Sequence, residues 1–134
     1  MTVPGPDVRA TRVPRVLVVD DDVNDLRSLR LTLEGQGFEV VACPNYNDGL
    51  RCLVTAPCDL VVVNQGTPAF EGRSVLDLSR KLDPRRAVLV LTRCLDMRCY
   101  CEAMQMGALD YLEKPVSSSD LLSFVRAHVD DNHA

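Results

Sequence analysis

Five short runs of consecutive apolar residues, most of them rich in valine, recur along the chain and predict five β-strands. They are bounded by Pro, Gly, Asp or Asn and lie at 15–19, 38–42, 59–63, 87–91 and 109–112. Because the apolar positions are continuous rather than alternating, both faces of each strand are expected to be covered, as in a parallel sheet. The pattern therefore predicts a sheet with helices packed on both sides.

Helical periodicity predicts one helix after each strand. The apolar stripes of the first, second, third and fifth helices are Leu26, Leu29 and Leu33; Tyr46, Leu50 and Leu53; Val75, Leu78 and Leu82; and Leu121, Val125 and Val129. Ser117 and Asp120 resemble a capping box at the start of the fifth helix. With no repeat and no long linker, we predict one (βα)₅ domain at 15–130, a flexible lead-in at 1–14 and a C-terminal tail at 131–134.

The fourth helix has the least regular pattern. We place it at roughly Asp96 to Met106, with Gly107 as its cap. Its predicted inner face consists of Met97, Tyr100, Cys101 and Met104. The methionines are interpreted as filler of the core rather than as a groove for a partner.

Composition and charge favour a cytoplasmic domain that binds neither nucleic acid nor a membrane. The net charge of -4 gives no reason to expect a basic surface for nucleic acid. No apolar run approaches the roughly 20 residues of a membrane helix, and Met1 to Thr11 lack the apolar segment of a signal peptide. The six cysteines show no C-x-x-C spacing, so we expect buried free thiols in a reducing compartment.

Polar residues with complementary chemistry follow four of the predicted strands. Asp20 and Asp21 follow the first strand, Asn64 the third, Thr92 the fourth and Lys114 the fifth. In an open, doubly wound sheet, ligands gather beyond the carboxyl ends of the strands, where the strand order reverses. The order 2-1-3-4-5 would place strands 1 and 3 side by side at that point. We therefore predict that these side chains converge on a site suited to a cation and a phosphoryl group.

The chain from about Arg15 to Val129 resembles a response-regulator receiver domain of two-component phosphorelay signalling. The matching pieces are 16–22, 59–63, Pro68 with Gly72, Thr92 and 107–115. The resemblance implies a flavodoxin-like fold and a histidine kinase as partner. It further implies a cis peptide bond before Pro115 and the following roles: Mg²⁺ binding for Asp20 and Asp21, phosphoryl binding for Thr92 and Lys114, and reorientation on activation for Tyr111.

By this resemblance, Asn64 stands where the family has its phosphoacceptor aspartate. An amide is neutral and a poor nucleophile, so we expect no acyl phosphate to form. Loss of a negative charge should also weaken Mg²⁺ binding, and we expect no cofactor to be required. Ala69, Glu71 and Arg93 are further departures from the family pattern. One hypothesis is that the Arg93 guanidinium lies over Asp20 and Asp21 in place of the cation; the alternative is a solvated side chain at the rim.

Three functions are compatible with this sequence. The first is a non-enzymatic, phosphorylation-independent receiver that docks a kinase, another regulator or a second copy of itself, the last through its fourth helix, fifth strand and fifth helix. The second is a working phosphoacceptor that uses another acid, such as Asp22 or Asp59, or an ordinary receiver engineered from Asp to Asn. The third, a nucleotide or flavin binder, is disfavoured because the acidic run after the first strand would repel phosphate. Because the sequence ends soon after the fifth helix, we expect output through contact with another protein.

Overall fold

The computed structural model describes residues 13–133, in which five parallel strands form one sheet. The strands are β1 (Arg15–Val19), β2 (Glu39–Cys43), β3 (Leu60–Asn64), β4 (Ala87–Thr92) and β5 (Asp110–Glu113). Their order in the sheet is β2-β1-β3-β4-β5, and every neighbouring pair is parallel. The predicted doubly wound α/β fold is confirmed, and β2, β3 and β5 each begin one residue later than their apolar runs.

A helix follows each strand, as the periodicity predicts. The helices are α1 (Val23–Glu34), α2 (Tyr46–Thr55), α3 (Arg73–Leu82), α4 (Met97–Gln105) and α5 (Ser118–His133). Helix α5 continues to His133, so the segment interpreted as a tail from 131 begins inside a helix. The predicted lead-in lies outside the described residues except at its last two positions. Within the described part of the chain, no helix has the length and apolarity that crossing a membrane requires.

Residues with short polar side chains, located in the loops after the strands, determine where several helices begin. The side chains of Asp22, Asn45 and Asp96 each accept a hydrogen bond from the backbone N–H three residues later, at the starts of α1, α2 and α4. Ser117 Oγ accepts in the same way from the Asp120 N–H at 3.1 Å and begins α5. These caps satisfy N–H groups that have no partner inside the helix, and each one typically contributes about 1 kcal/mol.

The helices cover the two faces of the sheet separately. On one face, the core includes Leu53 of α2, Val75 of α3 and Ala103 of α4. On the other face, Leu33 of α1 and the stripe Leu121, Val125 and Val129 of α5 pack on the alternate residues of the same strands. Nearly all residues of β1, β3 and β4 are buried, which explains why these strands read as continuous apolar runs.

Helix α4 presents a different face to the sheet from the one that its sequence predicts. Cys99 and Ala103, one turn apart, are buried against the sheet, whereas Met97 is 74% exposed and Tyr100 is 41% exposed. The predicted inner face is therefore wrong apart from the half-buried Met104. Small residues allow the helix to lie close to the sheet, and the larger side chains are displaced to its rim.

The cysteines also differ from the expectation that all of them are buried. Cys43 and Cys99 are buried, Cys52 and Cys58 are half-buried, and Cys94 and Cys101 are exposed. Burial raises the pKa of the Cys43 thiol to about 12, and the Cys52 sulfur in contact with it at 3.4 Å adds to this shift. Cysteine is small and apolar, so the sequence makes burial plausible for each of the six, but it does not determine which cysteines face the core.

Candidate functional site

The polar residues that follow the strands meet at the carboxyl edge of the sheet. Asn64 and Thr92 are the last residues of β3 and β4, while Asp20 and Lys114 directly follow β1 and β5. Since β3 lies between β1 and β4, the parallel register brings these positions to one edge. An open pocket of about 310 Å³ lies there, and its lining includes Asp21, Asp25, Asn64, Arg93 and Lys114. Asp21, Asn64 and Lys114 line this pocket, and Asp20 joins them through its contact with Lys114. Thr92 lies at the same edge but is fully buried and is not among the lining residues.

Lys114 is the buried cation of this site and pairs with two acids. Its Nζ donates to Asp20 Oδ2 at 2.7 Å and to Asp25 Oδ2 at 3.0 Å, and its side chain is 5% exposed. Burial raises the pKa of Asp20, and the contact with Lys114 opposes that rise. Burial also raises the pKa of Asp25, but hydrogen bonds from Arg93 and Lys114 outweigh it and hold this pKa below its usual value. The lysine is therefore held by carboxylates of the chain itself.

The Asn64 side chain serves as a hydrogen-bond donor. Its Nδ2 donates to Asp21 Oδ1 at 2.9 Å, and the Tyr46 hydroxyl donates to the same oxygen at 3.2 Å. Burial and the nearby Asp21 carboxylate raise the pKa of Tyr46, so its hydroxyl remains protonated at neutral pH. One oxygen of Asp21 thus already has two donors from within the chain.

Arg93 has a different partner from the one that the sequence suggested. Its Nε and Nη2 donate to the two oxygens of Asp25 at 3.0 Å and 2.5 Å, a bidentate pair. The hypothesis that this guanidinium lies over Asp20 and Asp21 is therefore corrected. Arg93 follows β4 and faces the first turn of α1, where Asp25 presents both oxygens in the geometry that a guanidinium prefers.

The turn after β3 depends on a glycine. A Cβ at Gly72 would lie 2.2 Å from the Asn64 carbonyl oxygen, so no larger residue fits without movement of the backbone. Within the same turn, the Glu71 carboxylate accepts from the Thr67 N–H at 3.1 Å and from the Thr67 hydroxyl. These hydrogen bonds lower the pKa of Glu71. The turn is held by its own side chains and backbone at the rim of the pocket.

Thr92 and Tyr111 make hydrogen bonds away from Asn64. Thr92 Oγ1 donates to the Cys94 carbonyl at 2.9 Å and accepts from the Cys94 N–H at 2.9 Å. The hydroxyl of the buried Tyr111 donates to Gln65 Oε1. The peptide bond between Lys114 and Pro115 is cis, as the resemblance implies.

Three residues that contribute to the site or lie next to it are not assigned to it by the sequence pattern: Asp25, Tyr46 and Gln65. Asp25 looks like an ordinary acid in the first turn of a helix, and Tyr46 looks like a member of an apolar stripe. Gln65 offered a signal, because it is a polar residue next to a buried strand. Its importance depends on its complete burial, which the sequence alone does not reveal.

The acids proposed as alternative phosphoacceptors have other structural roles. The side chain of Asp22 accepts from the Asp25 N–H at 3.0 Å and caps α1. Asp59 accepts from the Arg15 N–H at 2.8 Å, just before β3 begins and therefore at the opposite edge of the sheet. Asp22 lies at the pocket but points into its helix cap, and Asp59 lies far from it.

The residues present are a poor fit for Mg²⁺. This ion prefers an octahedral shell of hard oxygen ligands, usually including one or two carboxylates that can bind it directly. Here Asp20 is bound to Lys114, and Asp21 accepts hydrogen bonds from Asn64 and Tyr46. Among the described residues, no three His, Cys, Asp or Glu side chains are grouped to hold a metal ion.

Comparisons with known proteins agree with this architecture. A family model described as the response regulator receiver domain matches residues 16–126. The chain is 35% identical over 114 residues to the transcriptional regulatory protein PrrA of Mycobacterium tuberculosis, covering 85% of this chain and 49% of PrrA. It is 34% identical over 119 residues to the transcriptional regulatory protein KdpE of the same species, covering 89% of this chain and 52% of KdpE. The chain therefore spans about half the length of these curated relatives.

A solved structure shows the same fold. The CheY-like response regulator receiver domain protein of Methanospirillum hungatei JF-1 superposes with a TM-score of 0.84 at 28% sequence identity. The match covers 90% of this chain and 97% of that chain. The similarity therefore extends over the whole domain.

Proposed function

Because the chain belongs to the response regulator receiver domain family, we propose that it is a phosphorylation-independent receiver that acts by contact with other proteins. Asn64 is the observation that carries this proposal. It lies at the carboxyl edge of the sheet, lines the same pocket as Asp21 and Lys114, and donates from its amide nitrogen to Asp21. An amide lacks the anionic oxygen that attack on a phosphodonor requires.

The positive charges around Asn64 support the same proposal. Lys114 is held by Asp20 and Asp25, and Arg93 pairs with both oxygens of Asp25. An incoming phosphoryl group would have to displace these carboxylates before either cation could neutralise it. We propose that Asp25 acts as a built-in anion that occupies the cations of the site. We also propose that Mg²⁺ binds weakly, because Asp20 is paired with Lys114 and Asp21 already accepts two hydrogen bonds.

The partner that we propose is a histidine kinase, another cytoplasmic signalling protein or a second copy of the chain. The surface formed by α4, β5 and α5 supports this choice because it combines apolar and charged groups. Near its α4 edge, Leu95 and Met97 are 58% and 74% exposed. Arg98 and Glu113 are exposed on α4 and β5 and supply charges of opposite sign. Large exposed apolar side chains with a charged rim are typical of contact surfaces.

A matched pair of proteins tests the absence of phosphoryl transfer. Wild type and Asn64→Asp are incubated with acetyl phosphate and Mg²⁺, and intact mass is measured before and after hydroxylamine. We expect no added phosphate on the wild type and a hydroxylamine-labile adduct on a fraction of Asn64→Asp. A stoichiometric labile adduct on the wild type would overturn the proposal, and mapping it to Asp22 would establish the alternative acceptor.

A further inference from the structure

Gln65 is a polar side chain that is completely buried. It follows Asn64 at the end of β3, and its exposure is 0%. A buried amide is costly unless its donors and acceptor find partners. Nε2 donates to the Cys94 carbonyl at 3.1 Å and to the Thr67 carbonyl at 3.4 Å, and Oε1 accepts from the Tyr111 hydroxyl. The side chain therefore connects three segments: the turn after β3, the β4–α4 loop, and β5.

Tyr111 is fixed at both its hydroxyl and its ring. Its hydroxyl also accepts from the Asp96 N–H at 3.3 Å, next to the start of α4. Its ring meets the Tyr100 ring edge-on, with centroids 5.5 Å apart and planes at 71°. The side chain is 7% exposed, and burial raises the pKa of its hydroxyl. At neutral pH the phenol is therefore the donor that the Gln65 oxygen requires.

Tyr111 and Thr92 both contact the β4–α4 loop. The Thr92 hydroxyl exchanges hydrogen bonds with the backbone of Cys94, and the same Cys94 carbonyl accepts from Gln65. The tyrosine and the β4–α4 loop thus share one partner, Gln65, whose hydrogen bonds lie inside the core.

We propose that Gln65 is a positioning residue that holds Tyr111 buried and fixes the β4–α4 loop, so that the α4–β5–α5 face keeps one conformation without a phosphoryl signal. This deepens the proposed function, on which it rests for the role of the face. Tyr111 and the adjoining loop are clamped by a neutral amide, so their position does not follow the charge state of the site. Gln65 thus takes the place of the phosphoryl signal that sets this conformation in phosphorylated receivers.

Protection of the Tyr111 ring measures this clamp directly. The protein is labelled with ¹³C at the ε positions of its three tyrosines, and the Tyr111 signal is assigned with Tyr111→Phe. Paramagnetic relaxation by a soluble gadolinium chelate then reports exposure of the ring. The test variant is Gln65→Leu, which keeps bulk but removes the amide. The control is Gln105→Leu, which removes an exposed amide from α4.

We expect one protected Tyr111 signal in the wild type and in Gln105→Leu. In Gln65→Leu, the signal should relax at least threefold faster with the chelate or split into two exchanging signals. Gln65→Met, which is more flexible, provides a second variant if the leucine variant does not fold. A Tyr111 ring that stays singly populated and equally protected in the folded variant would overturn the proposal. A phosphate adduct on the wild type would instead refute phosphorylation independence while leaving this ring measurement intact.

Discussion

We propose that Asn64 keeps the shape of the site while its amide removes the nucleophile. It is the last residue of β3, and its side chain donates to Asp21. Replacing the neutral amide by a carboxylate would bring a negative charge close to Asp21, where like charges repel. The amide therefore avoids this repulsion and stabilises Asp21 through a hydrogen bond.

Asp25 gives the first prediction at the residue scale. Asp25→Asn removes the charge that pairs with Lys114 and Arg93, so the free energy of unfolding at pH 7 should fall by about 1–2 kcal/mol. The pKa of Asp25 is lowered in the folded state, so its contribution is present above the ordinary carboxyl pKa and is lost as the pH falls through the folded-state pKa. Urea unfolding from pH 3 to pH 7 should therefore show the two proteins converging in acid.

The matched control for this charge is Asp77→Asn. Asp77 forms an exposed i, i+4 pair with Lys81 at 2.9 Å. Exposed pairs of this kind contribute little, so a change within about 0.5 kcal/mol is expected. A difference between wild type and Asp25→Asn that does not depend on pH would contradict the ion-pair explanation.

A second prediction concerns recovery of phosphoryl transfer. In Asn64→Asp, Lys114 remains paired with Asp25, so acetyl phosphate should label this variant slowly. Asn64→Asp combined with Asp25→Asn weakens the competing anion and should be labelled about tenfold faster, a gain that corresponds to about 1.4 kcal/mol. Initial rates of adduct formation by intact mass provide the measurement. Equal rates in the two variants would show that Asp25 does not compete for the lysine.

At the scale of elements, the turn between β3 and α3 determines how close α3 lies to the site. Gly72 packs against the backbone of Asn64, and α3 begins at the next residue, Arg73. Strand β3 carries Asn64, and the turn at Gly72 determines how much space surrounds it. Helix α4 is positioned by the small residues Cys99 and Ala103, which allow it to approach the sheet closely.

Gly72→Ala tests this close approach. The added Cβ would lie 2.2 Å from the Asn64 carbonyl oxygen, so the backbone must shift, and we expect a loss of about 1–3 kcal/mol in urea unfolding. Gly35→Ala is the milder comparison, because Gly35 has an ordinary helical φ of -62° at the end of α1 and its added Cβ would lie 3.1 Å from the Leu31 carbonyl oxygen. A shift of a few tenths of an ångström relieves that contact, so the loss should stay below about 1 kcal/mol. Similar losses in both variants would contradict a specific role of the turn.

At the scale of the whole molecule, the sequence predicts topology well and side-chain partners poorly. Continuous apolar runs predict the strands of a parallel sheet, and the polar residues at the strand ends predict the edge that carries Asn64 and Lys114. The sheet order itself follows from the resemblance to receiver domains. The pairing of Arg93 with Asp25 is different, because it depends on the rotation of α1 relative to β4. Gln65 likewise requires knowledge of three segments that meet in the core. Short-range patterns cannot report such contacts, since their partners are distant in sequence.

The α4–β5–α5 face gives a prediction about assembly. Arg98→Glu combined with Glu113→Lys should abolish self-association or kinase capture while the thermal unfolding midpoint changes little, because single surface charges contribute mainly to partner selection. Sedimentation velocity and pull-down with the purified kinase provide the measurement. The control reverses the charges of Glu34 and Arg85, two exposed residues located before β2 and β4. Loss of assembly in the control alone would place the interface elsewhere.

We propose that Thr92, Tyr111 and the α4–β5–α5 face have one conformation that a phosphodonor does not change. Backbone amide spectra of ¹⁵N-labelled protein, recorded with Mg²⁺ alone and then with added beryllofluoride, test it most directly. Asn64→Asp provides the positive control for binding of the phosphoryl analogue. For the wild type we predict no saturable shifts at Thr92, Tyr111 or α4. Saturable shifts at these residues in the wild type, matching those of Asn64→Asp, would contradict the account.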